Sequence, residues 1–474
     1  MINTRIKTNF IFNAIYELSG IIIPLVTLPY LTRTIQAGGL GEFSFAYSVA
    51  YYFYIFIRLG LHSYGNRTIA YIKDDEIALS RVFFELYVFQ AFMGIVITAI
   101  YLGYCFLFAI NKELAFISAF IVLSGGIDLT WALYGLEEFR LTSVRDVLTK
   151  IGAAVCVFAF VKNSDDVWKY SLIYCSSFFF RQLISLPIVM RKVHFIKPTV
   201  SGVLSHIKSN MILFLPTIAV SIYKTMDKIM LGAMSNDKEL GYYHASENVI
   251  MVPLALITAL GTVMLPRISN MLSNEESSKE TEDLFSKSIV FDMFISSSIC
   301  FGIMTVSKEF VQVFFGKGFE KCNKIFLIIL PSCIFLAFAN VIRTQYLLPR
   351  KKDRLFVLSL FSGAIINLIL NIILIPKYES IGAAIGTLTA EAMVCIVQAA
   401  YVYKTAKIGE NLRKSVPYLI SGILMYVLFR GYSPAVNNSI LALFIKILIS
   451  GFFYLLMLGV QLRLRKLYSN ILGR

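Results

Sequence analysis

Apolar runs of about 20 residues, each long enough to cross a bilayer as a helix, alternate with short polar stretches along the whole chain. Read by that rhythm, the sequence predicts fourteen helices, at 10–35, 42–66, 82–110, 114–136, 141–161, 167–190, 209–233, 242–266, 288–306, 323–348, 355–376, 380–403, 416–430 and 440–462. The thirteenth is short and has Pro417 at its start. No connection exceeds about 20 residues, which is too little for a catalytic domain of the usual 50 or more. The longest inner connection, 268–287, carries Glu275, Glu276, Lys279, Glu280, Glu282 and Asp283 and reads as a solvated amphipathic segment. The expected fold class is therefore an all-α polytopic membrane protein, with the first run a retained span rather than a cleaved signal peptide.

Composition agrees. Of 474 residues, 57% are hydrophobic and 15% charged, against about 25% charged in soluble domains, which excludes a soluble globular protein. The formal charge of +15 would suggest nucleic acid only if a soluble basic face existed, so no nucleic-acid partner is expected. Sorting the 44 Lys and Arg residues among alternating loops puts most of them on one side when the N-terminus is inside. By the positive-inside rule both termini are expected in the cytoplasm. The seven cysteines show no CxxC and no metal-like spacing against the four histidines, and they read as core packing.

The chain contains no Walker A run, HExxH, GxSxG or DxD pair. It is expected to be no enzyme, to hold no metal or cofactor, and to draw energy from an ion gradient, the substrate gradient or partners. The informative residues are charges inside predicted helices, each costing about 2.5–3.5 kcal/mol at a helix centre unless paired or wetted. They are Glu17, Arg58, Asp128, Lys150, Arg181, Lys224, Asp227, Lys228, Asp292, Arg343, Glu391 and Lys446. Counting residues along the helices places Glu17, Arg58, Asp128, Lys150 and Arg181 in the middle-to-inner layer. Lys224, Asp227 and Lys228 share one helix face in the outer half, with Glu247 at comparable depth. Two accounts fit these charges: structural ion pairs between helices, or a wet cavity of net positive charge. Their number favours the cavity, because helices can pack more cheaply with Gly, Ala and Ser. Such a cavity suits an anion, and arginine offers a forked donor for phosphate oxygens.

The tyrosines and phenylalanines crowding residues 43–56 stack on sugar rings in one reading and face lipid in the other. Pro24, Pro29 and Pro216 interrupt the helical ladder at corresponding points of the two halves. At an offset of 200 residues Leu31, Leu40, Gly41, Val49, Ile57 and Arg67 recur as Leu231, Leu240, Gly241, Val249, Ile257 and Arg267, a weak internal echo of the kind transporter repeats leave.

Three segments carry a family resemblance: Leu28-Pro29-Tyr30-Leu31-Thr32-Arg33, Gly38-Gly39-Leu40-Gly41-Glu42-Phe43-Ser44-Phe45-Ala46 and Tyr64-Gly65-Asn66-Arg67-Thr68-Ile69-Ala70. They resemble the N-terminal signature of bacterial polysaccharide flippases of the Wzx type, in the multidrug/oligosaccharidyl-lipid/polysaccharide exporter superfamily. Gly39 departs from the pattern, since many relatives carry Glu there. The resemblance implies two six-helix lobes around a central cavity, 1–206 and 207–410, with 411–474 adding two further helices and a cytoplasmic tail. It implies export of undecaprenyl-diphosphate-linked oligosaccharide across the bacterial cytoplasmic (inner) membrane for O-antigen, capsule or exopolysaccharide. The mechanism would be alternating access coupled to a proton or sodium gradient, with a polysaccharide polymerase and a chain-length regulator as partners. Arg58, Lys150, Arg181, Lys224, Lys228 and Arg33 would then bind diphosphate or sugar. Glu17, Asp128, Asp227 and Glu247 would couple an ion or pair with those cations. A small-molecule antiporter of the same superfamily would want an acidic cavity. A membrane polymerase would be expected to show a large external loop or an acidic catalytic motif.

Overall fold

The computed structural model describes residues 2–273, 278–436 and 438–471; Glu275 and Glu276 of the inner connection fall outside them. Among the described residues there is helix and turn but no strand. The chain divides into two compact units, Met1–His244 and Ala245–Arg474, where the sequence expectation had set a lobe boundary after residue 206.

The first unit holds α1 (Ile2–Thr34), α2 (Gln36–Arg58), α3 (Leu61–Ile72), α4 (Glu76–Leu107), α5 (Lys112–Gly126), α6 (Thr130–Gly135), α7 (Phe139–Phe160), α8 (Val167–Met190), α9 (Val200–Lys224), α10 (Met226–Met234) and the start of α11 (Asp237–Ser273). The second holds the rest of α11, then α12 (Ser278–Phe314), α13 (Lys321–Ile329), α14 (Ser332–Ile342), α15 (Asp353–Tyr378), α16 (Ser380–Val402), α17 (Ile408–Phe429) and α18 (Ser439–Ile471). The presumed inner connection is thus mostly helix, the end of α11 and the start of α12.

Twelve helical segments among the described residues are long and apolar enough to cross a membrane. The two remaining members of the predicted fourteen are α2, with 23 residues, and α7, with 22. Both are long enough to span, but glycine and tyrosine in α2, and Arg140, Arg145, Asp146 and Lys150 in α7, lower their hydropathy. Large side chains such as Phe92 and Ile95 on α4 and Leu448 and Phe452 on α18 are exposed, as lipid-facing positions must be.

Several predicted single helices are broken. The first-unit segment 42–66 ends at Arg58, where Leu59 turns the chain with φ +47°. The expected helix 114–136 divides into α5 and α6 around Ile127-Asp128-Leu129. Its freed carbonyls are met by Gln90 on α4, whose amide donates to Gly125 O at 2.6 Å and Asp128 O at 2.9 Å. The Trp131 indole in turn donates to Gln90 Oε1 at 2.8 Å, which fixes the amide that meets those two carbonyls in the apolar interior. The expected 209–233 separates at Thr225 into α9 and α10, and 323–348 becomes α13, α14 and a π-helical turn at Arg343–Leu347.

The cysteines are free, and all but half-buried Cys156 are buried. Lys446, the last of the predicted intramembrane charges, is 1% exposed on α18 and donates to Glu309 Oε1 of α12 at 2.8 Å. Replacing Lys446 by Met would strand that carboxylate, and breaking a buried pair from one side costs about 3–5 kcal/mol. A lowered melting temperature of the detergent-solubilised protein is the expected result, and an unchanged one would show that the pair contributes nothing.

Candidate functional site

In the first unit α2 carries a ladder of rings at helical spacing. Phe43, Tyr47, Tyr51 and Tyr54 stack successively with centroids 5.7, 5.6 and 5.5 Å apart and interplanar angles of 29°, 15° and 26°. Tyr170 and Tyr174 of α8 pack edge-on or tilted against Phe43. Of the two sequence readings, lipid-facing aromatics are not what this face provides; its rings are packed inside the unit.

The ladder leads to Arg58 in the last turn of α2. Arg58 Nε lies 3.0 Å from Asp128 Oδ2, with the arginine side chain 19% exposed and the aspartate 1%. Tyr54 Oη donates to the same Oδ2 at 2.6 Å and receives Arg58 Nη1 at 2.9 Å. The other carboxylate oxygen accepts from Thr130 N at 2.9 Å. Asp128 can be held this way because the α5–α6 break turns its side chain and the next main-chain amides toward one another. The second amino group, Nη2, meets His62 Nδ1 at 3.1 Å.

Arg58, His62, Tyr51 and Tyr54 line a cleft of about 400 Å³ whose far wall is α9, with Pro216, Ser221 and Lys224. The α2–α3 corner fits against α9 only because residue 60 is glycine; a Cβ there would meet the Asn210 carbonyl oxygen.

A second cluster joins α7, α8 and α1. Arg145 donates through Nε to Asp146 Oδ1 at 2.8 Å and also bonds Ser185. Arg181 reaches the same carboxylate oxygen at 3.8 Å and stacks 4.1 Å over the Phe178 ring. Lys150 lies 4.6 Å over the Tyr16 ring and donates to Ser19 at 3.4 Å. Glu17 is exposed beside this group, and Arg181 is within electrostatic reach of Asp128. Arg181, held through Nε alone, keeps further donors for a ligand oxygen.

The structure therefore brings Arg58, Lys150, Arg181, Asp128 and Glu17 together in one unit and adds Lys224 to the Arg58 cleft. It does not bring Arg33 to them. Arg33 is exposed at the end of α1, donates to Pro29 O at 2.6 Å, and is separated from Arg58 by the length of α2, about 33 Å at 1.5 Å per residue. Lys224 ends α9, and Asp227 and Lys228 lie on α10 just past Thr225, whose backbone stays right-handed helical. Asp227 is fully buried and accepts from Tyr243 Oη at 3.0 Å. Lys228 is half-buried on α10, and Glu247 belongs to the second unit.

Sequence reasoning missed Arg145 and Asp146. Arg145, inside the expected helix 141–161 but absent from its intramembrane charges, is buried on α7 with its neighbour as counter-ion. A signal was available in the adjacent opposite charges four and five residues before Lys150. Gln90 and Trp131, which set the Asp128 loop, were also missed.

A family model for polysaccharide biosynthesis proteins matches residues 6–272. A protein of Escherichia coli (strain K12) described as a "putative O-antigen transporter" is 25% identical over 403 residues, 84% of this chain and 96% of that one. Among solved structures, the lipid II flippase MurJ in an inward closed conformation aligns with TM-score 0.73 and 16% identity, covering 98% of this chain and 100% of that one. An inward-facing multidrug resistance transporter of the MATE family aligns with TM-score 0.59 and 11% identity, covering 84% and 99%. At these identities the structural likeness is one of fold.

Proposed function

Because this chain belongs to the polysaccharide biosynthesis protein family, we propose that it is a flippase carrying lipid-linked oligosaccharide repeat units from the cytoplasmic to the outer leaflet of the bacterial inner membrane. The carrier lipid is undecaprenyl diphosphate, and the polymer served is O-antigen, capsule or exopolysaccharide. The fold shared with a lipid II flippase and the similarity to a protein described as an O-antigen transporter support this reading.

The observation that carries it is the cleft of the first unit, where Arg58 and Lys224 stand beside stacked tyrosines. Diphosphate oxygens take charge-assisted hydrogen bonds from Arg58, Lys150 and Arg181, while Tyr51 at the cleft offers aromatic surface to a sugar. An antiporter of small cations would want carboxylates lining the cleft, and its charged lining residues are basic.

Transport is by alternating access, with α2 and α7 crossing the bilayer beside the twelve apolar spans and both termini in the cytoplasm. A proton or sodium gradient supplies the energy through Glu17, Asp128, Asp227 or Glu247. A polymerase and its chain-length regulator receive the product.

The test is the sidedness of lipid-diphosphate-linked oligosaccharide in membranes of a deletion strain and the same strain complemented. Accumulation on the cytoplasmic face, relieved by complementation, is expected. Completed units reaching the outer face without the protein would sink the proposal.

A further inference from the structure

The second unit has a pocket of about 310 Å³ where its helices end, at the boundary of the apolar spans. Thr281, Glu282 and Ser286 enter it from the first turns of α12, and Gln345 and Tyr346 from the π-helical turn after α14. Arg350 comes from the turn that follows, and Lys407, Asn411 and Lys414 from the α16–α17 corner. A π-helical turn is a costly departure from α geometry and is frequent at functional sites.

Gln345 is 1% exposed, and neither its Oε1 nor its Nε2 has a hydrogen-bond partner; the Thr281 hydroxyl, in a residue 3% exposed, also has none. Buried polar atoms are almost always satisfied in native proteins, so unsatisfied ones sharing a cavity call for a polar occupant.

The charges indicate its sign. Glu282 pairs with Lys407 at 2.6 Å, Glu410 with Lys414 at 2.9 Å and Asp283 with Lys287 at 2.6 Å. Arg350 forms no ion pair with a described carboxylate. Its guanidinium lies 4.0 Å over the Tyr346 ring, and Nη1 reaches only main-chain carbonyls, at 3.4 Å. The carboxylates of the lining are thus neutralised, while a planar guanidinium is held in place by stacking with donors to spare. It lines the same pocket as an amide and a hydroxyl that lack partners.

We propose that this pocket binds a phosphate ester, with the Arg350 guanidinium, the Gln345 amide and the Thr281 hydroxyl donating to its oxygens. This site is separate from the Arg58 cleft and does not depend on what the chain transports. Its place at the span ends, on the side that the positive-inside rule assigns to the cytoplasm, favours the headgroup of an anionic phospholipid. A soluble phosphate compound has the same chemistry.

The experiment follows thermal unfolding of the full chain in detergent while phosphatidylglycerol, phosphatidylcholine, inorganic phosphate or glycerol 3-phosphate is titrated in; a ligand that binds the folded state raises the midpoint. Phosphatidylglycerol is expected to raise it and phosphatidylcholine not. Arg350→Gln should weaken the apparent affinity about tenfold, whereas Lys351→Gln, removing an equal charge from a neighbour that does not line the pocket, should leave it unchanged.

Gln345→Leu should lower the affinity while leaving the unliganded protein at least as stable, because it deletes two unpartnered polar atoms. A merely structural glutamine would move both in the same direction. If the variant does not fold, Thr281→Val replaces it as the neutral substitution. Stabilisation by the soluble phosphates, lost in Arg350→Gln, would keep the site and change its source. No shift with any phosphate, or a phosphatidylglycerol effect equal in wild type and Arg350→Gln, would overturn the proposal.

Discussion

Arg58→Gln is expected to abolish export and, separately, to destabilise the first unit. The two effects have different causes. Asp128 is 1% exposed and keeps only Tyr54 and Thr130 once the guanidinium is gone. Removing one member of a buried ion pair costs about 3–5 kcal/mol, chiefly because the other charge is left uncompensated. Adding Asp128→Asn removes that charge, so the double variant should regain most of the lost melting temperature and membrane abundance. It should not regain export, since the cleft has still lost the guanidinium that lines it together with Lys224. Arg181→Gln is expected to lose export with a smaller loss of stability, because Arg145 remains on Asp146 at 2.7 Å. Export restored in the Arg58→Gln/Asp128→Asn double variant would show that Arg58 serves packing alone.

Gly41→Ala and Gly241→Ala should each disrupt the fold where α2 and α11 begin. A Cβ on Gly41 would meet the carbonyl oxygen of Asp237, and a Cβ on Gly241 the carbonyl oxygen of Ala37. The two contacts are reciprocal and separated by the same 200 residues as the internal sequence echo, and Ser44 meets His244 Nδ1 at 3.1 Å on the same offset. Backbone meets backbone here, so no side chain can rotate away. Overpacking usually costs about 1–3 kcal/mol, and the upper end is expected because whole helices must separate. Each substitution separates the same two segments, so the double variant should cost less than the sum of the singles. Gly38→Ala is the control: a Cβ there meets nothing within 4 Å, and alanine in a helix is about 0.5–1 kcal/mol better than glycine. Melting temperatures of the four proteins decide the matter. A Gly41→Ala protein as stable as Gly38→Ala would rule out the close approach.

The all-α, membrane-spanning character was readable without coordinates because it depends on a local quantity, the length and hydropathy of each run, and lipid tests each run in the same way wherever it sits in the bundle. The charges of Arg58, Asp128, Lys150 and Arg181 stood out for the same reason, as conspicuous costs inside apolar segments. The chain could not declare how those costs are met. That depends on which helix faces meet, and on breaks such as that at Asp128, where a tertiary partner replaces the backbone hydrogen bonds a continuous helix would have made. Thus Arg145 did not stand out near the start of its expected helix until the fold buried it against Asp146, and Arg33, grouped with Arg58 among the expected binding residues, lies at the far end of α2 from it. Gln345 was an unremarkable polar residue until packing removed its water and put no partner in its place. Hydropathy is summed along a helix and survives any rearrangement of neighbours. Ion pairing between helices and orphaned polar atoms are set by contacts of a few ångströms, many of them between residues tens of positions apart, and only the tertiary structure decides those.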